Sequence, residues 1–104
     1  MPENNASKAL FSLDDIDRVI HSPARLMLMK LLYVLDGADM VFLKSETGLT
    51  WGNLSVQVKN LEDAGYVVVD KEFVDNKPHT VVSLSKQGRV AFKAYSDRLR
   101  EILS

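Results

Sequence analysis

TGLTWGNLSVQVKNLEDAGYV, residues 47–67, spells a helix from cap to cap and then the start of a strand. Thr50 suits the N-cap, because its side-chain oxygen can accept from an N–H that the first turn leaves unpaired. Gly65 suits the left-handed turn that closes a helix, so the helix runs from Trp51 to about Ala64. At about 100° per residue, Leu54, Val58 and Leu61 fall on one line and face a core. Gly52, Val56 and Lys59 then point away from it, flanked by Asn53, Ser55 and Asn60. This outward side lacks the usual glutamate and lysine coat. Glycine, asparagine and serine cost helix stability, and they make sense where a partner approaches closely.

Upstream, Asp39 offers a cap for MVFLKSET, a helix of barely two turns closed by Gly48. Two short helices joined by a tight glycine-containing turn make a helix-turn-helix unit. Before it, Ser22 and Pro23 serve as N-cap and first residue of ARLMLMKLLYVLDG, which Asp36 and Gly37 end. That helix is apolar almost all round, so it must be covered on most sides. Leu13, Ile16, Val19 and Ile20 recur at helical spacing and predict a short amphipathic helix over 10–20, whereas residues 1–9 are polar and read as flexible.

Downstream, YVVVDKEFVDNKPHTVVSLS holds two alternating β-branched runs about a turn near Asp75, Asn76, Lys77 and Pro78. An isolated hairpin is marginal in water, so this one must lean on the helices. Ser85 caps a last helix over about 86–103. The order predicts an α+β, mainly α fold. It is a winged helix-turn-helix with a two-stranded β-hairpin wing over about 66–84, flanked by N- and C-terminal dimerisation helices, in a single domain spanning 10–104.

The 104 residues fit one domain, and 46% hydrophobic content is enough for a real core. With no cysteine, disulfides, thiol chemistry and cysteine zinc sites are excluded. The net charge of −1 gives no global sign of nucleic acid, and the basic surplus sits at the end, five basic against two acidic groups over 85–104. MPENNASKALF lacks the basic segment and apolar run of a signal peptide, and no stretch nears the roughly 18–20 apolar residues of a membrane span. A cytoplasmic protein with no membrane contact is expected. His21 and His79 are isolated and make no metal site, and the acids of LDDID, residues 13–17, spread over different helix faces. Without a phosphate loop or paired carboxylates, neither an enzyme nor a cofactor is expected.

A helix with so small and uncharged an outer face fits the DNA major groove, about 12 Å wide, with its N-terminal residues at the base edges. Asn53 can present its amide to adenine or to phosphate. Ser55 and Thr50 can donate to phosphate, Val56 can touch a thymine methyl, and Gly52 lets the backbone approach. Lys59 supplies charge and Asn60 borders it. Trp51 either packs under the helix start or reads DNA, and Gln57 can serve either role. On the wing, Lys71, Lys77 and His79 can neutralise phosphate, while Asp75 opposes this and an ordinary solvated turn fits as well.

In KQGRVAFKAYSDRLREILS, Phe92, Tyr95, Leu99 and Ile102 repeat at spacings of three and four. They suit a helix folding back on its own core, or a dimer seam shared with Leu13, Ile16 and Ile20. An antiparallel homodimer from residues 10–20 and 88–103 would set two reading helices about 34–36 Å apart, one turn of DNA. A winged helix serving protein–protein contact, with Trp51 and Val56 exposed, is the alternative, since fold does not fix function.

IHSPARLMLMKLL and ADMVFLKSETGLTWGNLSVQVKNLEDAGYVVVDKEFVDNKPHTVVSLSKQGRVAF together resemble the winged-helix transcriptional regulators of bacteria and archaea related to the MarR and ArsR groups. The chain looks most like the short, single-domain "winged helix DNA-binding domain" family. That resemblance implies a sequence-specific regulator of double-stranded DNA, with Trp51 to Ala64 as recognition helix and Lys71 to Leu84 as wing. Gln57 stands where the family commonly has histidine, and Asp75 and Asn76 replace the usual wing-tip glycine and arginine. ArsR-type metal sensing is not implied, since its cysteine ligands are absent, and no residue specifies a small-molecule effector.

Overall fold

The computed structural model describes residues 12–104. Chain order gives α1 (Pro23–Val34), β1 (Ala38–Asp39), α2 (Met40–Thr47), α3 (Trp51–Asp63), β2 (Val67–Val74), β3 (Lys77–Leu84) and α4 (Lys86–Leu103). The caps act locally as the sequence requires. Asp39 accepts from the Phe42 N–H, Thr50 from Asn53 and Ser85 from Gly88, each satisfying a donor the first turn cannot pair internally. Pro23 opens α1, although the Ser22 side chain makes no capping bond. Gly48, at φ +71°, turns α2 into α3 in the left-handed conformation that glycine adopts without strain.

The sheet has three strands, ordered β1-β3-β2, all antiparallel. The predicted two-stranded wing is therefore incomplete. Ala38 and Asp39 pair with Val82 and Val81 and add a third strand that hooks the start of α2 to β3. The hairpin turn is tighter than expected. Only Asp75 and Asn76 lie outside the strands, at φ 53° and 63°, the two positive values of a type I′ loop. Pro78 pairs with Phe73 within the ladder. Its missing N–H is tolerated there because β1 reaches only Val81 and Val82, leaving that flank of β3 unpaired.

The helix predicted over 10–20 does not form across the described part. A short 3-10 turn at Leu13–Asp15, capped by Ser12, gives way to an irregular turn. The cause is Asp17, whose Oδ1 accepts from the N–H groups of Val19 (2.9 Å) and Ile20 (3.2 Å) and so diverts them from helical bonding. The polar segment 1–9 and residues 10–11 lie outside the described residues.

Ile20, Leu28, Met29, Leu32, Leu43, Leu54, Leu61 and Val82 are completely buried. Each such aliphatic side chain contributes roughly 1.5–3 kcal/mol relative to exposure. Helix α1 touches α2, α3, α4 and β3, as a central helix should. Its cover is not complete, since Met27 is 47% and Val34 65% exposed. Among the described residues no polar or charged side chain is fully buried, and no helix is long and apolar enough to cross a membrane.

Candidate nucleic-acid interface

Leu54, Val58 and Leu61 fix the roll of α3 by sinking into the core, and this turns Thr50, Trp51, Gly52, Asn53, Ser55, Val56, Lys59 and Asn60 to the surface. A Cβ added at Gly52 would meet nothing within 4 Å. The fold itself does not require glycine there. Gly88 is the opposite case, for a Cβ on it would overlap the Tyr66 carbonyl that rests against the first turn of α4. Gly52 thus weakens a helix without relieving any internal contact.

Lys59 is less available than its sequence position suggests. Its Nζ lies 3.0 Å from Asp63 and 3.9 Å from Glu62 on its own helix, and the hydrogen bond to Asp63, aided by both charges, pushes its pKa up. Trp51, half exposed, stands with its ring 5.5 Å from the Lys44 ammonium, which brings an α2 cation to the entrance of α3. Gln57 is half-buried and belongs to a hydrogen-bonded chain. Arg25 of α1 donates through Nε to the Val19 carbonyl and through Nη1 to Gln57 Oε1 (2.7 Å). Gln57 Nε2 in turn donates to Asn53 Oδ1 (3.0 Å). Arg25 and Lys44 escaped the sequence reading, since neither lies in α3 or the wing; for Lys44 the available signal was a cation one helix upstream of the outward face of α3, whereas no local signal marked Arg25.

The ladder divides the wing residues between two faces. Lys71, opposite Thr80, and Phe73, opposite Pro78, share the face that carries Val69, Val82 and the core. Glu72, opposite His79, and Asp70, opposite Val81, lie on the other. The wing acids are thereby turned away from Lys71. His79 does not join the tip, as its Nδ1 faces Asp39 at 3.7 Å beside β1. Lys77 flanks the tip, and neither it nor Lys71 forms an ion pair with a described residue. Phe73 is 78% exposed.

This arrangement can be compared with known proteins. Residues 24–103 match the family model described as winged helix DNA-binding domain. The chain belongs to that family. An uncharacterised protein of Methanocaldococcus jannaschii is 35% identical over 78 residues, covering 75% of this chain and 85% of its own. The structure of a transcriptional regulator homologue from Pyrococcus horikoshii OT3 superposes with TM-score 0.79 at 28% identity, over 84% of this chain and 86% of that one. A MarR-family regulator from Silicibacter pomeroyi shares the fold with TM-score 0.63 at 22% identity, over 80% of this chain and 55% of that one.

The seven residues read as a dimer seam divide differently. Ile20, Phe92 and Tyr95 are buried inside the protomer and are corrected to core residues, because the chain's own helices already cover them. Leu99 packs partly on that core, as does Ile16, and Ile102 is half-buried. Leu13 is freely exposed, as are Val90 and Leu103 of α4.

Proposed function

We propose that this winged-helix domain is a sequence-specific transcriptional regulator of double-stranded DNA, acting as a homodimer with α3 in the major groove and the β2–β3 wing on the backbone. The observation that carries the reading is Gly52, a destabilising glycine with open space before it, set among exposed Asn53, Ser55 and Val56. A groove wall that must approach the helix backbone accounts for it, whereas a solvated helix face favours alanine, glutamate or lysine. The unpaired N–H groups at the start of α3 and the Thr50 hydroxyl suit phosphate oxygens. Lys44, Lys71 and Lys77 supply the cations.

Three phosphate contacts per protomer give a salt slope of roughly −3, too little for tight binding at physiological salt, and two protomers double it. Leu13, Val90 and Leu103 are the exposed apolar residues offered for the seam. The test is fluorescence anisotropy against random-sequence duplex across a salt series, beside light scattering for mass. Steeply salt-dependent binding by a dimer is expected. Absence of binding at low salt refutes the proposal and favours the second reading, a protein-contact module, for which exposed Trp51 and Val56 and the acid-paired Lys59 speak. No catalytic step enters either reading.

A further inference from the structure

Asn53 stands at the third residue of α3, where a reading helix meets base edges. Free in water, its amide could present either the oxygen or the nitrogen. The chain behind it removes that choice. An arginine guanidinium can only donate, so the Gln57 atom 2.7 Å from Arg25 Nη1 must be the acceptor Oε1. Gln57 Nε2 is then left to donate, and the atom it meets on Asn53 at 3.0 Å is Oδ1. Arg25 cannot swing away to serve phosphate instead, because its Nε is held by the Val19 carbonyl and its side chain is half-buried.

We infer that Arg25, acting through Gln57, fixes the Asn53 amide with its nitrogen outward, so that α3 reads a base edge made only of acceptors, that of guanine, in preference to adenine. The inference rests on the DNA-binding reading above. Guanine offers N7 and O6, both acceptors, to the major groove. Adenine offers N7 beside the N6 donor, and an asparagine matching it must supply donor and acceptor together. Asn53 Oδ1 is already turned inward to its own helix. Arg25 is a positioning residue here, and it touches no base.

Two substitutions separate this role from ordinary support of the fold. In Arg25→Leu the Gln57 amide is free to rotate, so both polarities of Asn53 become available. In Gln57→Glu the new carboxylate keeps Arg25 as partner but can only accept. It draws the Asn53 nitrogen inward and turns the oxygen outward, to face a donor such as N6 of adenine or N4 of cytosine.

The experiment selects binding sites from a random duplex pool with the wild-type chain, Arg25→Leu and Gln57→Glu. The position belonging to Asn53 is identified as the one whose preference Asn53→Ala erases. Wild type should favour guanine over adenine there by about tenfold, and Arg25→Leu should bring the two within about twofold while preferences elsewhere persist. Gln57→Glu should shift the preference to adenine or cytosine, and since it retains Arg25 and its hold on Val19 it decides the matter even if Arg25→Leu melts early. Unchanged preference at that position in both variants overturns the inference alone. Wild type that enriches no duplex overturns the DNA-binding reading with it.

Discussion

Replacing Gly52 by alanine should strengthen the protein and weaken its grip on DNA. The site lies in the first turn of α3, with negative φ and no heavy atom beyond the adjoining helix backbone within 4 Å of the added Cβ, so the fold accepts alanine without strain. Removing glycine from a helix stabilises by about 0.4–1 kcal/mol, largely by reducing the freedom of the unfolded chain. For a domain of this size the melting temperature should rise by about 2–8 °C. If the sugar–phosphate chain packs against the bare Cα, the new methyl has nowhere to go, and overpacking of about 1–3 kcal/mol lowers affinity roughly 5- to 150-fold. Thermal melting followed by circular dichroism without DNA gives the first number, and anisotropy on a selected duplex at fixed salt gives the second. A variant that melts higher and binds DNA as tightly as wild type would refute the close-approach argument and, with it, the reason offered for the glycine.

Lys71→Ala should make the salt slope shallower by about 0.9 for each protomer, whereas Lys59→Ala should change it far less, because Asp63 and Glu62 already meet that charge; equal changes in a salt titration contradict this division. Gly88→Ala should cost about 1–3 kcal/mol or more in a denaturant melt, since its methyl would overlap the Tyr66 carbonyl. Burial, then the hydrogen bond to Asp17, raises Tyr66 from 10.0 to about 12. The unfolded chain therefore ionises first on going alkaline, and stability is full below pH 10.0 and drains as pH approaches about 12. Urea melts of Tyr66→Phe should show a shallower alkaline descent than wild type, and identical descents would rule that cause out. Leu103→Asp, at a residue 76% exposed, should leave the protomer's fold intact while light scattering reports a shift from dimer to monomer; an unchanged mass removes this end of α4 from the seam.

The helices after residue 22 were legible because their caps are local. Asp39, Thr50 and Ser85 each bond an N–H three residues on, and that spacing is written in the chain. The core line of α3 was legible for the same reason, since Leu54, Val58 and Leu61 need only helical periodicity to share a face. Strand β1 was not, because two residues carry no period and acquire their identity only by pairing with Val81 and Val82. The turn at Asp17 defeated a genuine helical pattern through one side chain that outcompetes the backbone. The place of His79 on the wing was hidden by the turn itself. With a loop of two residues, counting back from the tip sets it beside Glu72 on the outer face, whereas a loop extended to Pro78 hides that parity. Arg25 lies 32 residues from Gln57, a separation at which no spacing rule connects them.

Tyr66 is where several of these elements are fastened. Its N–H bonds the Leu61 carbonyl at the end of α3, its own carbonyl accepts from the Ser85 N–H at the start of α4, and its hydroxyl donates to Asp17 in the N-terminal turn. One residue therefore works as a bracket between α3 and both terminal segments. In the dimer proposed above, joined through those segments, the pitch between two α3 helices would be machined into the protomer instead of being left to a hinge, so that an operator whose half-sites were moved by a single base pair would meet a gauge that resets only when Tyr66 is prised loose.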